Sequence, residues 1–149
     1  MKRYIGTKII EAEPLTLGDY NLYRGWQIPA DEDPTEKGYL VKYSDGYESW
    51  SPLKQFEEAY RRCDNMPFGL AIEAMKKGKK VARIGWNGKN QYIQLATGIS
   101  YKTAAGKIIN CEHEAIGNKA IVFVGTSGVQ MGWLASQADM LADDWVIVE

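Results

Sequence analysis

The feature that most constrains this chain is a strand obliged to turn back on itself. Lys79-Lys80-Val81-Ala82-Arg83 runs into a turn bracketed by Gly85 and Gly88, and Gln91-Tyr92-Ile93-Gln94-Leu95 returns as its hairpin partner. Glycine accepts backbone angles that other residues resist, and Asn87-Gly88 is a strong hairpin signal. Just upstream, Phe68, Ala71, Ile72 and Met75 stand at i, i+3, i+4 and i+7, which predicts a helix over residues 67–77. Lys76 and Lys77 suit the negative end of its dipole, and Gly78 suits the residue after its end. Downstream, Ala120-Ile121-Val122-Phe123-Val124 reads as a buried strand, Gly125-Thr126-Ser127-Gly128 turns into Val129-Gln130-Met131, and Trp145-Val146-Ile147-Val148 is a last strand. A helix followed by short strands joined by tight turns gives a mostly antiparallel sheet.

The first part of the chain reads as a separate, smaller unit. Residues 3–12 are rich in β formers (Tyr4, Ile5, Thr7, Ile9, Ile10) and predict a strand ended by Pro14. Residues 16–23 fit a short helix or a turn equally well. An acidic, proline-bounded loop spans residues 29–38. Tyr39 to Trp50 alternates about Asp45-Gly46 as a hairpin. Ser51 then fits an N-cap with Pro52 at the first helical position, and Leu53, Phe56, Ala59, Tyr60 and Cys63 fall on one helical face. The fold class expected is therefore α+β. A small β-hairpin-plus-helix module over residues 1–63 precedes one helix packed on a mostly antiparallel β-sheet over residues 66–149.

Charge and cysteine usage narrow the function. At 149 residues with 45% hydrophobic content, a sizeable core requires that the halves share it or that the chain oligomerises. A net charge of −1 provides no global basic field for DNA or RNA, so an anionic partner must be small and met by local cations. Cys63 and Cys111 form neither a disulfide framework nor a paired zinc motif, which fits a reducing cytoplasm. The opening residues lack the apolar run of a signal peptide, and no stretch has the length of a membrane helix.

Two segments carry ligand-like chemistry. At the turn, the indole of Trp86, the amide of Asn87 and the cations Arg83 and Lys89 suit a guest with a flat ring and an anion, which describes a nucleotide. The alternative is a plain hairpin turn whose Trp packs in the core, and local chemistry alone favours it. In the segment from Gly132 to Trp145, Ser136 and Asp139 have the spacing of a helix cap. Backbone N–H groups there could hold a phosphate, and Asp139 and Asp143 could accept from ribose hydroxyls. Three aspartates, Asp139, Asp143 and Asp144, raise the question of a metal, but such groups are more often solvated or capping, and no metal or cofactor is expected. His113, the single histidine, has no nucleophile placed beside it. Ligand-like groups without a catalytic set favour a binding protein over an enzyme.

Taken together, three runs resemble the second class of phage Thoeris anti-defence proteins. They are Phe68 to Arg83, then Gly85-Trp86-Asn87-Gly88-Lys89, then Trp133 to Trp145. The first segment, with Tyr4-Ile5-Gly6-Thr7-Lys8, Gly25-Trp26 and Ser49-Trp50-Ser51-Pro52, is similar to an accessory module found ahead of this domain in phage proteins. Asn90-Gln91 stands where relatives often have Gly-Met, and Gly132 where they often have Pro.

The resemblance implies a protein of the infected host's cytoplasm that binds the cyclic nucleotide signal glycocyclic ADP-ribose and withholds it from its effector without cleaving it. It also implies homo-oligomers, a dimer of dimers with pockets between subunits, and in some members separate sites for cyclic dinucleotides or trinucleotides. It assigns no DNA, RNA or membrane partner. Carried onto this chain, Trp86 stacks on a base. Asn87 and the Gly85 and Gly88 backbone contact phosphate or ribose, and Arg83 and Lys89 supply charge. Trp133, Ser136, Gln137, Asp139, Met140 and Asp143 complete the pocket, and Phe68 adds a second ring. A hydrolase of the same signal, using Asp139 with Asp143 or His113, and a structural or protein-interaction module are the rival readings.

Overall fold

Asp45 and Gly46 make the turn that organises the first part of the chain. Gly46 takes φ +87° and the Asp45 carboxylate accepts from the Tyr47 N–H at 2.9 Å, the local chemistry that two hairpin strands need. In the computed structural model, which describes residues 1–86, 90–109 and 119–149, the chain divides into two units, Met1–Arg61 and Arg62–Glu149.

The first unit contains β1 (Glu11–Pro14), α1 (Leu17–Tyr23), β2 (Gly38–Lys42), β3 (Glu48–Pro52) and α2 (Leu53–Ala59). Its antiparallel sheet has the order β1-β2-β3. Val41 and Tyr20 are buried, and the Phe56 ring of α2 stacks on Tyr39 of β2 with centroids 3.9 Å apart. The Trp50 indole donates to the Leu15 carbonyl at 2.8 Å. Gly38 lies against that indole so closely that a Cβ there would overlap the ring and the Ser51 carbonyl. Residues 16–23, open between helix and turn in the sequence, are helical, with the Thr16 hydroxyl accepting from the Asp19 N–H at 3.2 Å.

Three local expectations are corrected here. The strand expected over residues 3–12 is confined to Glu11–Pro14, and Pro14 is its last residue rather than the stop beyond it. β2 ends at Lys42, the partner of Glu11, so it offers nothing for the earlier residues to pair with. Ser51 is not an N-cap: it pairs with Tyr39 in β3, the chain stays extended through Pro52, and α2 starts at Leu53 without a side-chain cap. Ladder hydrogen bonds to β2 outweigh the capping signal. Finally, α2 ends at Ala59, where Tyr60 turns extended, so Cys63 is exposed rather than on a buried helical face.

The second unit contains α3 (Phe68–Lys76), β4 (Lys80–Arg83), β5 (Tyr92–Ala96), β6 (Tyr101–Lys102), β7 (Ile108–Ile109), β8 (Ala120–Gly125), β9 (Gly128–Met131), α4 (Gln137–Leu141) and β10 (Trp145–Val148). Five strands form one antiparallel sheet in the order β10-β4-β5-β8-β9, so the α+β class holds. Ile147 opposes Val81, Val81 opposes Ile93 and Ile93 opposes Phe123, which places these apolar side chains on one face. Ala71, Ala74 and Met75 of α3 pack there with Met66, Val81, Ile93 and Trp145. The periodic helix therefore meets the sheet by its apolar stripe. The last strand returns to the sheet's β4 side, which is what assembles the site.

Candidate functional site

Antiparallel pairing of β4 with β10 sets Arg83 opposite Trp145. The backbone beyond each strand stays close, with the Ile84 N–H donating to the Asp144 carbonyl at 3.1 Å. This pairing draws the 84–86 turn and the segment 133–145 into one corner. Gly132 and Trp133 both donate their N–H to the Ile121 carbonyl, which anchors Trp133 beside β8.

The corner has an aromatic wall. Trp86 meets Trp145 at 5.4 Å, Phe123 at 5.7 Å and Trp133 at 5.9 Å between centroids, each edge to face. Phe68 from the first turn of α3 lies 5.2 Å from Trp145 and 6.3 Å from Trp133. Trp145 is fully buried, whereas Trp86, Trp133 and Phe68 are half-buried. Edge-to-face rings leave part of each outer indole facing out, an arrangement that suits a stacking surface as well as a core.

Beside that wall is an ionic clamp. The Arg83 guanidinium donates from Nε to Asp144 Oδ1 at 2.9 Å and from Nη1 to Asp139 Oδ1 at 3.0 Å. The other oxygen of Asp139 accepts from the Ser136 N–H at 3.0 Å and hydroxyl at 2.8 Å, and Ser136 Oγ accepts from the Asp139 N–H, a full capping box on α4. The Trp145 indole donates to the Asp139 carbonyl at 2.9 Å. Burial pushes the Asp139 carboxyl up, but hydrogen bonds from Ser136 and from Arg83 outweigh it and hold the group below the ordinary carboxylate range. The Asp144 and Asp139 carboxylates hold the Arg83 guanidinium above its usual value.

Of the residues singled out in the sequence, Phe68, Arg83, Trp86, Trp133 and Asp139 converge here, and Ser136 is tied to Asp139. Gln137, Met140 and Asp143 lie on or just after α4 and are exposed. Asn87, Lys89 and His113 lie outside the described residues. Both carboxylate oxygens of Asp139 are already engaged by the chain itself, and the Arg83 cation is shared by two carboxylates. Phe123, Asp144 and Trp145 also belong to the corner. The signal for the last two was the Asp144-Trp145 pair at the start of a strand, whose pairing with Arg83 no local pattern reveals. Among the described residues no three His, Cys, Asp or Glu side chains converge as metal ligands.

Two clefts among the described residues share no lining residue with the rings and the clamp of this corner. One, of about 320 Å³, is in the first unit, between β2 and the start of α1, with Leu15, Asp19, Lys37, Tyr39 and Leu53 in its walls. The other, of about 120 Å³, is lined by Ile72, Met75, Lys76, Leu95, Lys119 and Ile121.

Comparison with known proteins places the second unit. A profile of the Thoeris anti-defense 2-like domain matches residues 66–148. The protein named Thoeris anti-defense 2 from Bacillus phage SP01 is 40% identical over 88 residues, which covers 56% of this chain and 94% of that protein. No helix among the described residues is long and apolar enough to cross a membrane. The aromatic corner, the clamp and the sheet that joins them all fall inside the matched residues, and the chain belongs to the Thoeris anti-defense 2-like family.

Proposed function

We propose that the chain fulfils its family's Thoeris anti-defense role by binding and sequestering a cyclic nucleotide immune signal of the glycocyclic ADP-ribose type. It does so without cleaving the signal, in the cytoplasm of an infected bacterium. The observation that carries this reading is the meeting of Trp86 and Trp133, 5.9 Å apart, beside a locked acidic turn. Two indoles from distant segments offer ring faces to a base, and the Ser136-Asp139 turn sets polar groups around them. In this reading Arg83 and Asp139 build the wall, and Phe68, Gln137, Met140 and Asp143 supply its rim. Asn87 contacts phosphate or ribose, Lys89 supplies charge, and a neighbouring subunit of a dimer of dimers completes the pocket. Separate sites for cyclic dinucleotides or trinucleotides belong to the same proposal.

The energetics permit such a sponge. Sequestration at nanomolar concentration needs about −12 kcal/mol. A stacked base contributes about 1–3 kcal/mol, and hydrogen bonds to charged groups about 1.5–3 kcal/mol each. A cyclic ligand is already rigid, which reduces the ordering cost. Hydrolysis is the weaker reading because Asp139 has both oxygens bonded within the chain and so is poorly placed as a base.

A second reading has its own support. Trp86 and Trp133 pack against the core, and Ile84, Leu134 and Leu141 are strongly exposed, which suits a protein-interaction module. One experiment separates all three. The purified protein is incubated with glycocyclic ADP-ribose, washed and denatured, and the released nucleotide is identified by mass. Intact ligand released in proportion to protein supports the sponge. Product formed over many turnovers supports a hydrolase, and no retained ligand supports the interaction module.

A further inference from the structure

Residues 3–10 have the composition of a strand, yet in the described structure they belong to no strand, are exposed except for the half-buried Ile10, and are joined to the rest by no backbone hydrogen bond. Tyr4 is 90% exposed and Ile5 93%. A β-forming run with bulky apolar side chains in water is a costly arrangement for a single subunit. The run feeds without a break into β1, which is an edge of the first unit's sheet. Lys8 Nζ lies 5.3 Å from the Tyr43 ring centroid. What precedes Lys8 is a strand in search of a neighbour.

The sequence of that strand is its own complement. Basic residues, Lys2, Arg3 and Lys8, stand in its first part and acidic ones, Glu11 and Glu13, in its last. An antiparallel copy centred on Thr7 sets Arg3 opposite Glu11, Ile5 opposite Ile9 and Thr7 opposite Thr7 on one face. On the other face it sets Tyr4 opposite Ile10. The two apolar pairings and the one ionic pairing each occur twice by symmetry, and directly opposed residues are the pairs that stabilise a sheet. A shift by one residue would set Tyr4 against Glu11 and Arg3 against Ala12, so the pattern also selects its register.

We propose that residues 3–11 are a homotypic docking strand, which pairs antiparallel with the same residues of a second copy across a two-fold axis at Thr7. The two three-stranded sheets of the first units are then joined through these paired strands, which run on into β1 of each copy. This interface belongs to the first unit and is independent of any ligand at the aromatic corner.

Cross-linking of the full chain tests it. With Cys63 and Cys111 replaced by serine, Thr7→Cys places two thiols directly opposite each other at a separation that a disulfide spans. Tyr4→Cys places them several residues apart on a different face. Mild oxidation, read by intact mass, is expected to join Thr7→Cys chains and leave Tyr4→Cys chains single. Adding Arg3→Glu to Thr7→Cys should slow joining by about tenfold, as two opposed pairs become repulsive. Adding Glu11→Arg as well should restore it. Arg3, Tyr4, Thr7, Glu11 and Cys63 are exposed, so changes at these positions leave the core untouched. Equal cross-linking at both positions, or indifference to the charge reversal, overturns the two-fold pairing and assigns the strand to a different occupant.

Discussion

Arg83 binds Asp139 through one guanidinium nitrogen, 3.0 Å from the carboxylate, while its Nε is held by Asp144. The arginine thus fastens a helical turn to the end of a strand. Its side chain is a quarter exposed and that of Asp139 less so, so the pair is shielded from the screening that makes surface ion pairs weak. Replacing Arg83 by methionine keeps much of the stem but leaves two carboxylates unpaired. The expected outcome is a fall of several degrees in Tm, and faster amide exchange across α4, measured by mass spectrometry.

The same clamp predicts an acid sensitivity. Asp139 titrates below its reference value of 3.8 in the folded chain. Its carboxylate therefore stabilises the fold fully above that value, and the contribution is lost as pH falls through the lower folded value. Thermal unfolding followed between about pH 5 and pH 2.5 should show a steeper loss for the wild type than for Asp139→Asn. Parallel curves for the two proteins would mean that the carboxylate is not held as described.

The capping box offers a milder perturbation. Ser136→Ala removes the acceptor for the Asp139 N–H and one donor to its carboxylate. A cap of this type is worth about 1 kcal/mol. Urea denaturation should show a shift of that size, with α4 amides exchanging first.

Trp86 serves packing and, in the proposed function, ligand binding, and two variants separate the roles. Trp86→Ala removes edge-to-face contacts with three rings and should cost about 2–3 kcal/mol, less than a fully buried aromatic would. Trp86→Phe retains a ring and most of the stability. If Trp86 stacks on a base, titration calorimetry with glycocyclic ADP-ribose should show weaker binding for Trp86→Phe at near-normal Tm.

In the first unit, Gly38 opposes Pro52 and faces the Trp50 ring. Gly38→Ala forces the indole off the Leu15 carbonyl. Overpacking of this kind costs about 1–3 kcal/mol. The loss should appear as a changed Trp fluorescence and a lower urea midpoint.

What the amino-acid order determined by itself was local. The Asp45-Gly46 turn, the apolar stripe of α3, the strand Ala120–Gly125 and the Ser136-Asp139 cap each depend on residues a few positions apart, and short-range geometry is written in short-range pattern. The resemblance that named the family also rested on contiguous runs. Other features came only with the tertiary structure. Ser51 carries a capping signature yet sits in a ladder, because pairing with Tyr39 supplies hydrogen bonds that a cap cannot match. Residues 3–10 carry a strand signature yet have no strand beside them, because β2 stops at Lys42. Arg83 looked like one of the nearest cations to a phosphate. The register of β4 against β10 brings it to Asp139 and Asp144, and so turns it into a clamp. Which distant groups meet is decided by strand order, and strand order follows from burying Trp145, Val81 and Ile93 under one helix, a condition no single stretch of the chain contains.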